Sequence, residues 1–198
     1  MQSLSKRDDK RHTYGEYLEW PSDVRYELIE GQAFAMSPGP DLAHQDLVGE
    51  IFVQVSVALR GKSCRAFVAP LDVRLPHGDE PDDQVDSVVQ PDVIVVCDEK
   101  KLDRLGVSGA PDWVVEVLSP ATASHDQVRK RRIYERSGVR EFWLVHPTDR
   151  VLMVYRLAGE EYGKPDTQVL EGQTPVGVLP GVVIHWDEVV DRLPRAEG

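Results

Sequence analysis

The sequence predicts an α/β fold in which a central mixed β-sheet is flanked by helices. The chain has 198 residues, and globular domains commonly have about 100–200 residues, so one domain is expected. Hydrophobic residues make up 41% of the chain and charged residues 29%, which excludes wholesale disorder. Short apolar runs typical of buried strands alternate with two helical patterns, and this alternation favours a mixed sheet with helices on its faces.

The chain divides into a tail and a domain. Residues 1–13 are charged and rich in turn formers, which predicts a flexible N-terminal tail. A single domain is then expected over residues 14–193, beginning with a short helix within residues 14–22. No apolar run approaches the roughly 20 residues of a membrane-spanning helix. The polar first ten residues do not resemble a secretion signal, so we expect a cytoplasmic protein.

A hairpin and a long helix are predicted next. Short runs at 26–29 and 32–36 flank Gly31 and predict two strands joined by a tight turn. From Asp41 or Leu42 to about residue 59, apolar side chains recur three and four residues apart, which predicts a helix. Gly61 follows as a C-terminal cap.

Strands and one further helix fill the rest of the chain. The apolar residues of 88–97 and 113–118 are typical of strands buried on both faces. A helix is predicted between Ser124, as its N-cap, and residue 137, before a third buried strand at 142–145. The remaining predicted elements are strands at 64–68, 71–75, 151–157, 162–170 and 182–186, with one helical turn within 98–109 and a short C-terminal helix.

Charge is unevenly distributed along this acidic chain. The net charge is −11 and the isoelectric point about 5.0, which argues against a protein that coats nucleic acid by bulk electrostatics. Residues 72–103 contain ten acidic and three basic side chains, whereas residues 121–150 contain seven basic and four acidic ones. The basic stretch can still meet phosphates. Cys64 and Cys97 are far apart in sequence, and we interpret them as small buried residues rather than a disulfide framework.

Two acids interrupt the buried strands. Asp92 opens the run VIVVC, and Glu116 lies within WVVEVL. A carboxylate in an apolar strand is costly without a partner or a metal. If the two strands are neighbours, Asp92 and Glu116 can present carboxylates at one point, as a hard cation such as Mg²⁺ requires. Either acid alone could instead be an ion-paired structural group.

Several motifs together resemble a known family. They are YELIEG (26–31), MSPGP (36–40), His44-Gln45, QPDVIVV (90–96), WVVEVLSP (113–120), Asp126-x-x-x-Lys130-x-x-x-Tyr134 and GVREFWLVHP (138–147). In order and spacing, over about residues 14–190, they resemble the Uma-type family of bacterial restriction-endonuclease-like proteins. That family falls within the PD-(D/E)XK phosphodiesterase superfamily.

The resemblance implies a restriction-endonuclease-like core and a nuclease that uses Mg²⁺ or Mn²⁺ to hydrolyse DNA phosphodiester bonds. It implies that Asp92, Glu116 and the backbone carbonyl near Val117 hold the metal. The lysine expected two residues after Glu116 is Leu118, so the standard site is incomplete. Lys130, from the following helix, is the predicted substitute that aligns the attacking water.

Alternatives accompany Lys130 and two other candidate residues. Lys130 could form only an intrahelical salt bridge with Asp126. Of the hairpin acids, Glu27 is favoured over Glu30 as the additional catalytic carboxylate, although the motif contains both. His44 could lie near the metal or take part in proton transfer, but a lone histidine is also often structural.

Arg129, Arg131 and Arg132 are candidate DNA contacts on the helix of Lys130, although such a run also suits a solvated face. A nuclease that cuts both strands usually works as a symmetric dimer, so a homodimer is expected from the function. One rival interpretation is a catalytically degenerate binding or scaffold module, favoured by Leu118 and the negative charge. Another is a hydrolase of a small phosphorylated molecule.

Overall fold

The computed structural model of this chain shows a mixed α/β fold, as the sequence predicts. It describes residues 6–21, 23–36, 41–118 and 126–193, without the side chains of Asp126 and Gln127. The helices are α1 (Tyr14–Leu18), α2 (Leu42–Ala58), α3 (Asp126–Ser137) and α4 (Trp186–Val190). The first strands are β1 (Tyr26–Ile29), β2 (Gln32–Ala35), β3 (Arg65–Val68), β4 (Val73–Arg74) and β5 (Val88–Val89). The next are β6 (Val93–Val96), β7 (Leu102–Asp103), β8 (Gly106–Ser108), β9 (Trp113–Val117) and β10 (Glu141–His146). The last are β11 (Val151–Ala158), β12 (Glu161–Tyr162), β13 (Asp166–Val169), β14 (Gln173–Pro175) and β15 (Val183–His185).

The central sheet has seven strands in the order β12-β11-β10-β9-β6-β3, with β13 paired to β11. Strands β9 and β10 are parallel, and α3 connects them. The β6–β9, β3–β6 and β10–β11 pairs are antiparallel, so the sheet is mixed. Strand β6 therefore lies directly beside β9, which brings the two acid-bearing segments together.

Helices and a second sheet cover the two faces of the central sheet. On one face, Val115 and Trp143 pack with Leu47 and Ile51 of α2 and with Trp186 of α4. The opposite face packs against α3 and the six-stranded second sheet, whose order is β2-β1-β5-β4-β8-β7. Because both faces of the central sheet are covered, β6, β9 and β10 are apolar on both sides.

The apolar segment 88–97 is not one strand. It divides into β5, in the second sheet, and β6, in the central sheet, with Pro91 and Asp92 between them. Proline donates no hydrogen bond to a ladder, so the pairing changes there. Asp92 consequently lies at the start of β6, where the chain passes between the sheets.

The prediction of two separate buried cysteines is wrong. Cys64 and Cys97 form a disulfide. Arg65 is opposite Val96 in the antiparallel β3–β6 pair, so the residues just outside this pair are also opposite one another. The 33-residue separation hides this proximity in the sequence, because only the strand register creates it.

The N-terminal segment, which the structure describes from residue 6, lies along the hairpin of β1 and β2. Arg7 N–H donates to the Ala33 carbonyl at 2.9 Å, and His12 N–H donates to the Gly31 carbonyl at 2.8 Å. The side chain of His12 lies between Asp8 and Glu16. Within the described ranges, no helix has both the length and the apolar character needed to cross a membrane.

Candidate functional site

Adjacent strands bring Asp92 to the segment that contains Glu116. Asp92 precedes β6, and its Oδ2 accepts a 2.7 Å hydrogen bond from the backbone N–H of Val117. Glu116 is the preceding residue of β9, on the face that packs against α3. The two carboxylates thus lie in one site because β6 and β9 are neighbours, as the sequence analysis required.

Lys130 enters this site from α3. Its Nζ is 3.2 Å from Oε1 and 3.4 Å from Oε2 of Glu116, and 2.9 Å from Oε1 of Glu27. Leu118, in the strand position of the usual lysine, packs instead against the apolar core beneath α3. The ammonium group therefore reaches the strand acid from the helix, and Lys130 contacts two glutamates from distant parts of the chain.

Tyr134, one helical turn after Lys130, holds Glu116 from a second direction. Its buried hydroxyl donates a 2.6 Å hydrogen bond to Glu116 Oε1. Burial, reinforced by the Glu116 carboxylate, raises the pKa of Tyr134 well above its ordinary value, so this hydroxyl stays protonated as a donor. The i, i+4 spacing places both side chains on one face of the helix.

The site carries an excess of negative charge in a poorly solvated place. Burial raises the pKa of Glu116 to about 7, and the nearby carboxylates of Asp92 and Glu27 add to this effect, while Lys130 and Tyr134 oppose it. Burial alone would lower the pKa of Lys130, but Glu116 and Glu27 outweigh it and hold that pKa above its ordinary value. Lys130 is therefore a permanent cation.

His44 approaches from the other side of the central sheet. It lies in the first turn of α2, where Asp41 caps the helix by accepting from the His44 backbone N–H at 2.9 Å. Its buried imidazole places Nε2 3.3 Å from Asp92 Oδ2. Burial would lower the pKa of His44, but Asp92 and the nearby Glu116 raise it.

The structure separates the two hairpin acids. Glu27 is buried in β1, and its Oε1 also accepts from the backbone N–H of Gln90 at 2.9 Å. Glu30 lies in the turn with a positive φ of 51° and pairs with Arg136 at 3.0 Å. Glu27 is thus the acid that faces Lys130. The contribution of Gln90 comes from its main chain, which no side-chain pattern could have indicated.

The three arginine candidates do not share one environment. Arg129 lies over the ring of Phe34, and Arg131 over the ring of Tyr155. Arg132 is exposed. They therefore surround the partly buried Lys130 on the flanks and outer face of α3. The proposed cap Ser124 and the side chain of Asp126 lie outside the described part of the chain.

A metal would have to be held by a rearranged set of these oxygens. In the part of the chain that the structure describes, no three His, Cys, Asp or Glu side chains are grouped closely enough to hold an ion. The donor chemistry nevertheless fits a hard divalent cation, because Asp92 and Glu116 meet beside the main chain of Val117 and repel one another. A nearby cation would relieve the repulsion that helps to raise the pKa of Glu116.

Comparison with solved structures and known sequences agrees with this fold. A crystal structure from Anabaena variabilis, described as "a putative nuclease belonging to DUF820", superposes with a TM-score of 0.73 at 21% identity. The match covers 92% of this chain and 99% of that one. An uncharacterized protein of Synechocystis sp. is 27% identical over 143 residues, 71% of each chain. The Uma2 family, described as "Putative restriction endonuclease", matches residues 14–187. The chain belongs to the Uma2 family.

Proposed function

We propose that this protein is a metal-dependent endonuclease that hydrolyses DNA phosphodiester bonds. The observation that carries the proposal is the position of Lys130, whose Nζ reaches Glu116 at 3.2 Å from α3. It supplies, from the helix, the cation missing from the strand at Leu118. With Asp92 beside Val117, the site has the acids and the lysine that phosphodiester hydrolysis needs.

Asp92, Glu116 and the backbone carbonyl of Val117 are the groups that would hold the metal. Restriction-endonuclease-like families generally use divalent metal ions, and Mg²⁺ or Mn²⁺ suits oxygen donors. When bound, such an ion supplies Lewis acidity and neutralises charge on the phosphate. It would also offset the repulsion that raises the pKa of Glu116.

The chain's own side chains have separate tasks in this proposal. Lys130 orients the attacking water and stabilises negative charge that develops on the phosphate. Glu27, at 2.9 Å, holds Lys130 in place. We assign to His44, whose Nε2 is 3.3 Å from Asp92 Oδ2, the exchange of a proton with the leaving oxygen. Tyr134 fixes the Glu116 carboxylate.

Arg129, Arg131 and Arg132 would guide the DNA backbone toward the site. Their charge is local, so binding should weaken strongly with salt even though the whole protein is acidic. Cleavage of both strands would need two copies of the site, and hence a homodimer. We place the protein in the cytoplasm, where DNA is available.

A plasmid assay tests the proposal. Supercoiled DNA is incubated with the protein and Mg²⁺, Mn²⁺ or EDTA, beside Asp92→Asn, Lys130→Ala and the control Asp191→Asn. Asp191 is an exposed acid at the end of α4. We expect metal-dependent nicking by the wild type and the control, and loss in the other two variants.

The pattern of losses separates the alternatives. Loss in Asp92→Asn alone would keep the nuclease and return Lys130 to a structural salt bridge. Full activity of Asp92→Asn would contradict the assigned site. If the wild type cleaves neither DNA nor RNA with any metal, the catalytically degenerate binding module becomes the better interpretation.

A further inference from the structure

Helix α2 exposes three apolar side chains to solvent. Leu42 is 80% exposed, and Val53 and Val57 are each 52% exposed. The opposite side of the same helix already packs Leu47 and Ile51 into the core. Exposed valines one turn apart are unusual on the outer side of a 17-residue helix whose inner side is already packed, since that outer side is normally polar.

The outer face also contains a glycine. Gly49 lies one turn before Val53, and within the described ranges no atom beyond the helix backbone comes within 4 Å of where its Cβ would be. Glycine weakens a helix interior. Its value at an exposed position is that another backbone or a bulky side chain can approach closely.

The order of residues along this face is self-complementary about Val53. At 100° per residue, Asp46, Gly49 and Val57 project within about 40° of Val53. Arg60 lies in the turn just after the C-cap Leu59, where its N–H donates to the Val57 carbonyl at 3.3 Å. Gly49 and Val57 are four residues to either side of Val53, and Asp46 and Arg60 are seven. The small residue Gly49 is therefore related to the larger Val57, and the acid Asp46 to the base Arg60, by reversal of the sequence about Val53.

We propose that α2 is a homodimer interface, in which a second copy of this chain packs its α2 antiparallel across a two-fold axis at Val53. Asp46 then faces Arg60 of the partner subunit, and Gly49 receives Val57 of the partner subunit. Because the axis is two-fold, each of these contacts forms twice. Val53 packs against Val53 of the partner subunit.

Charge favours a second copy over an unrelated partner. The protein as a whole is strongly acidic, so two copies repel unless the contact is locally balanced. In the two-fold arrangement, the negative charge of each Asp46 is balanced by the positive charge of Arg60 of the partner subunit. The next acid, Glu50, is already paired with Arg192 at 3.3 Å.

The interface would lie behind the candidate site. His44 projects from the side of α2 opposite Val53 and contacts Asp92. Dimerisation through α2 would thus join the two sites through the helices that hold the histidines. The inference does not rest on the proposed function, because an inactive protein would dimerise through the same face.

Sedimentation of the full chain over a concentration series tests the interface. We expect a wild-type monomer–dimer equilibrium and, for Val53→Asp, a dimer dissociation constant raised by about 100-fold, because two carboxylates would meet at the axis. The control is Val169→Asp, since Val169 has a similar exposure of 54% on β13. Thermal melting checks that both variants fold. A wild type that stays monomeric, or a Val53→Asp dimer of unchanged affinity, would overturn the proposal.

A charge exchange tests the register. Asp46→Arg and Arg60→Asp should each weaken the dimer, and the double variant should restore it. Within one chain, Asp46 is in the second turn of α2 and Arg60 lies beyond its C-terminal end, roughly 20 Å away at 1.5 Å per residue, so they cannot restore each other without a partner. Failure of the double variant to regain affinity, with both single variants impaired, would overturn the antiparallel register.

Discussion

Glu116 and Glu141 are both carboxylates within the core, on the adjacent parallel strands β9 and β10, yet their surroundings differ. Glu141 Oε1 accepts from Trp143 Nε1 at 2.6 Å and from the Gly177 N–H at 3.2 Å. Its Oε2 lies 3.5 Å from the Arg156 guanidinium. Oε1 of Glu141 is therefore held by donors that belong to the fold, and the half-exposed Arg156 is the cation beside Oε2.

Glu116 instead shares its cation with another acid. Lys130 contacts both Glu116 and Glu27, and Asp92 lies close enough to raise the pKa of Glu116 further. A buried carboxylate alone therefore does not identify a site. Several carboxylates grouped around too little positive charge are the better indication, because their repulsion is relieved only by a bound proton or an additional cation.

The largest difference between the two acids should be in catalysis. We expect Glu116→Gln to lower plasmid cleavage by at least about 100-fold, because a proposed metal-binding oxygen loses its charge. Glu141→Gln should leave the cleavage rate unchanged but lower the free energy of unfolding by about 1–3 kcal/mol, since its amide would face Arg156. Cleavage assays and urea unfolding measure the two effects. Equal loss of cleavage in both variants would remove the distinction.

Removal of the shared cation should affect stability strongly. Lys130→Met leaves Glu27 and Glu116 facing each other without a cation, and we expect it to lower the free energy of unfolding by about 3–5 kcal/mol. Adding Glu116→Gln to Lys130→Met should recover part of that loss. Lys100→Met, at an exposed position, is the control. A loss no larger than that of the control would show that Lys130 is not a required partner.

The raised pKa of Glu116 should appear as a pH dependence of stability. Between its ordinary value of 4.5 and the folded value of about 7, the folded protein keeps a proton that the unfolded chain has released. The free energy of unfolding should therefore fall as pH rises through this window. The pKa of His44 is also raised from its ordinary value of 6.5. Above pH 6.5, His44 should therefore also lower the free energy of unfolding as the pH rises.

Unfolding in urea with EDTA, from about pH 5 to about pH 8, measures this slope. Glu116→Gln should flatten it, whereas Glu188→Gln, an exposed acid of α4, should not. An unchanged slope in Glu116→Gln would assign the pH dependence to other groups.

The smallest effect is expected from the uncharged donor to each acid. Tyr134→Phe removes the hydrogen bond to Glu116, and we expect a stability loss of about 1–2 kcal/mol together with a modest fall in cleavage. Trp143→Phe removes the corresponding donor to Glu141 and should reduce stability without reducing cleavage. A drop in cleavage for Trp143→Phe alone would reverse the roles assigned to the two acids.

Much of the fold could be predicted because it depends on local patterns. The apolar spacing of α2, the hairpin turn at Gly31 and the apolar run of β9 identify their elements from short segments. The division between β5 and β6 was missed, because the apolar run continues on both sides of Pro91. The disulfide was missed because its formation depends on strand register rather than on local sequence.

The site shows the same division. Asp92, Glu116 and Lys130 could be selected because acids in apolar strands and a lysine one helical turn before Tyr134 are local signals. The choice of Glu27 over Glu30 depends on a turn in which Glu30 has a positive φ. Both acids lie in one short motif, so strand spacing alone cannot decide between them.

Binding of Mn²⁺, followed by electron paramagnetic resonance, tests most directly whether the carboxylates around Glu116 form a metal site. We expect saturable binding of one ion per chain in the wild type and in Glu141→Gln, and its loss in Glu116→Gln. Absence of saturable binding in the wild type, or unchanged binding in Glu116→Gln, would contradict the assignment.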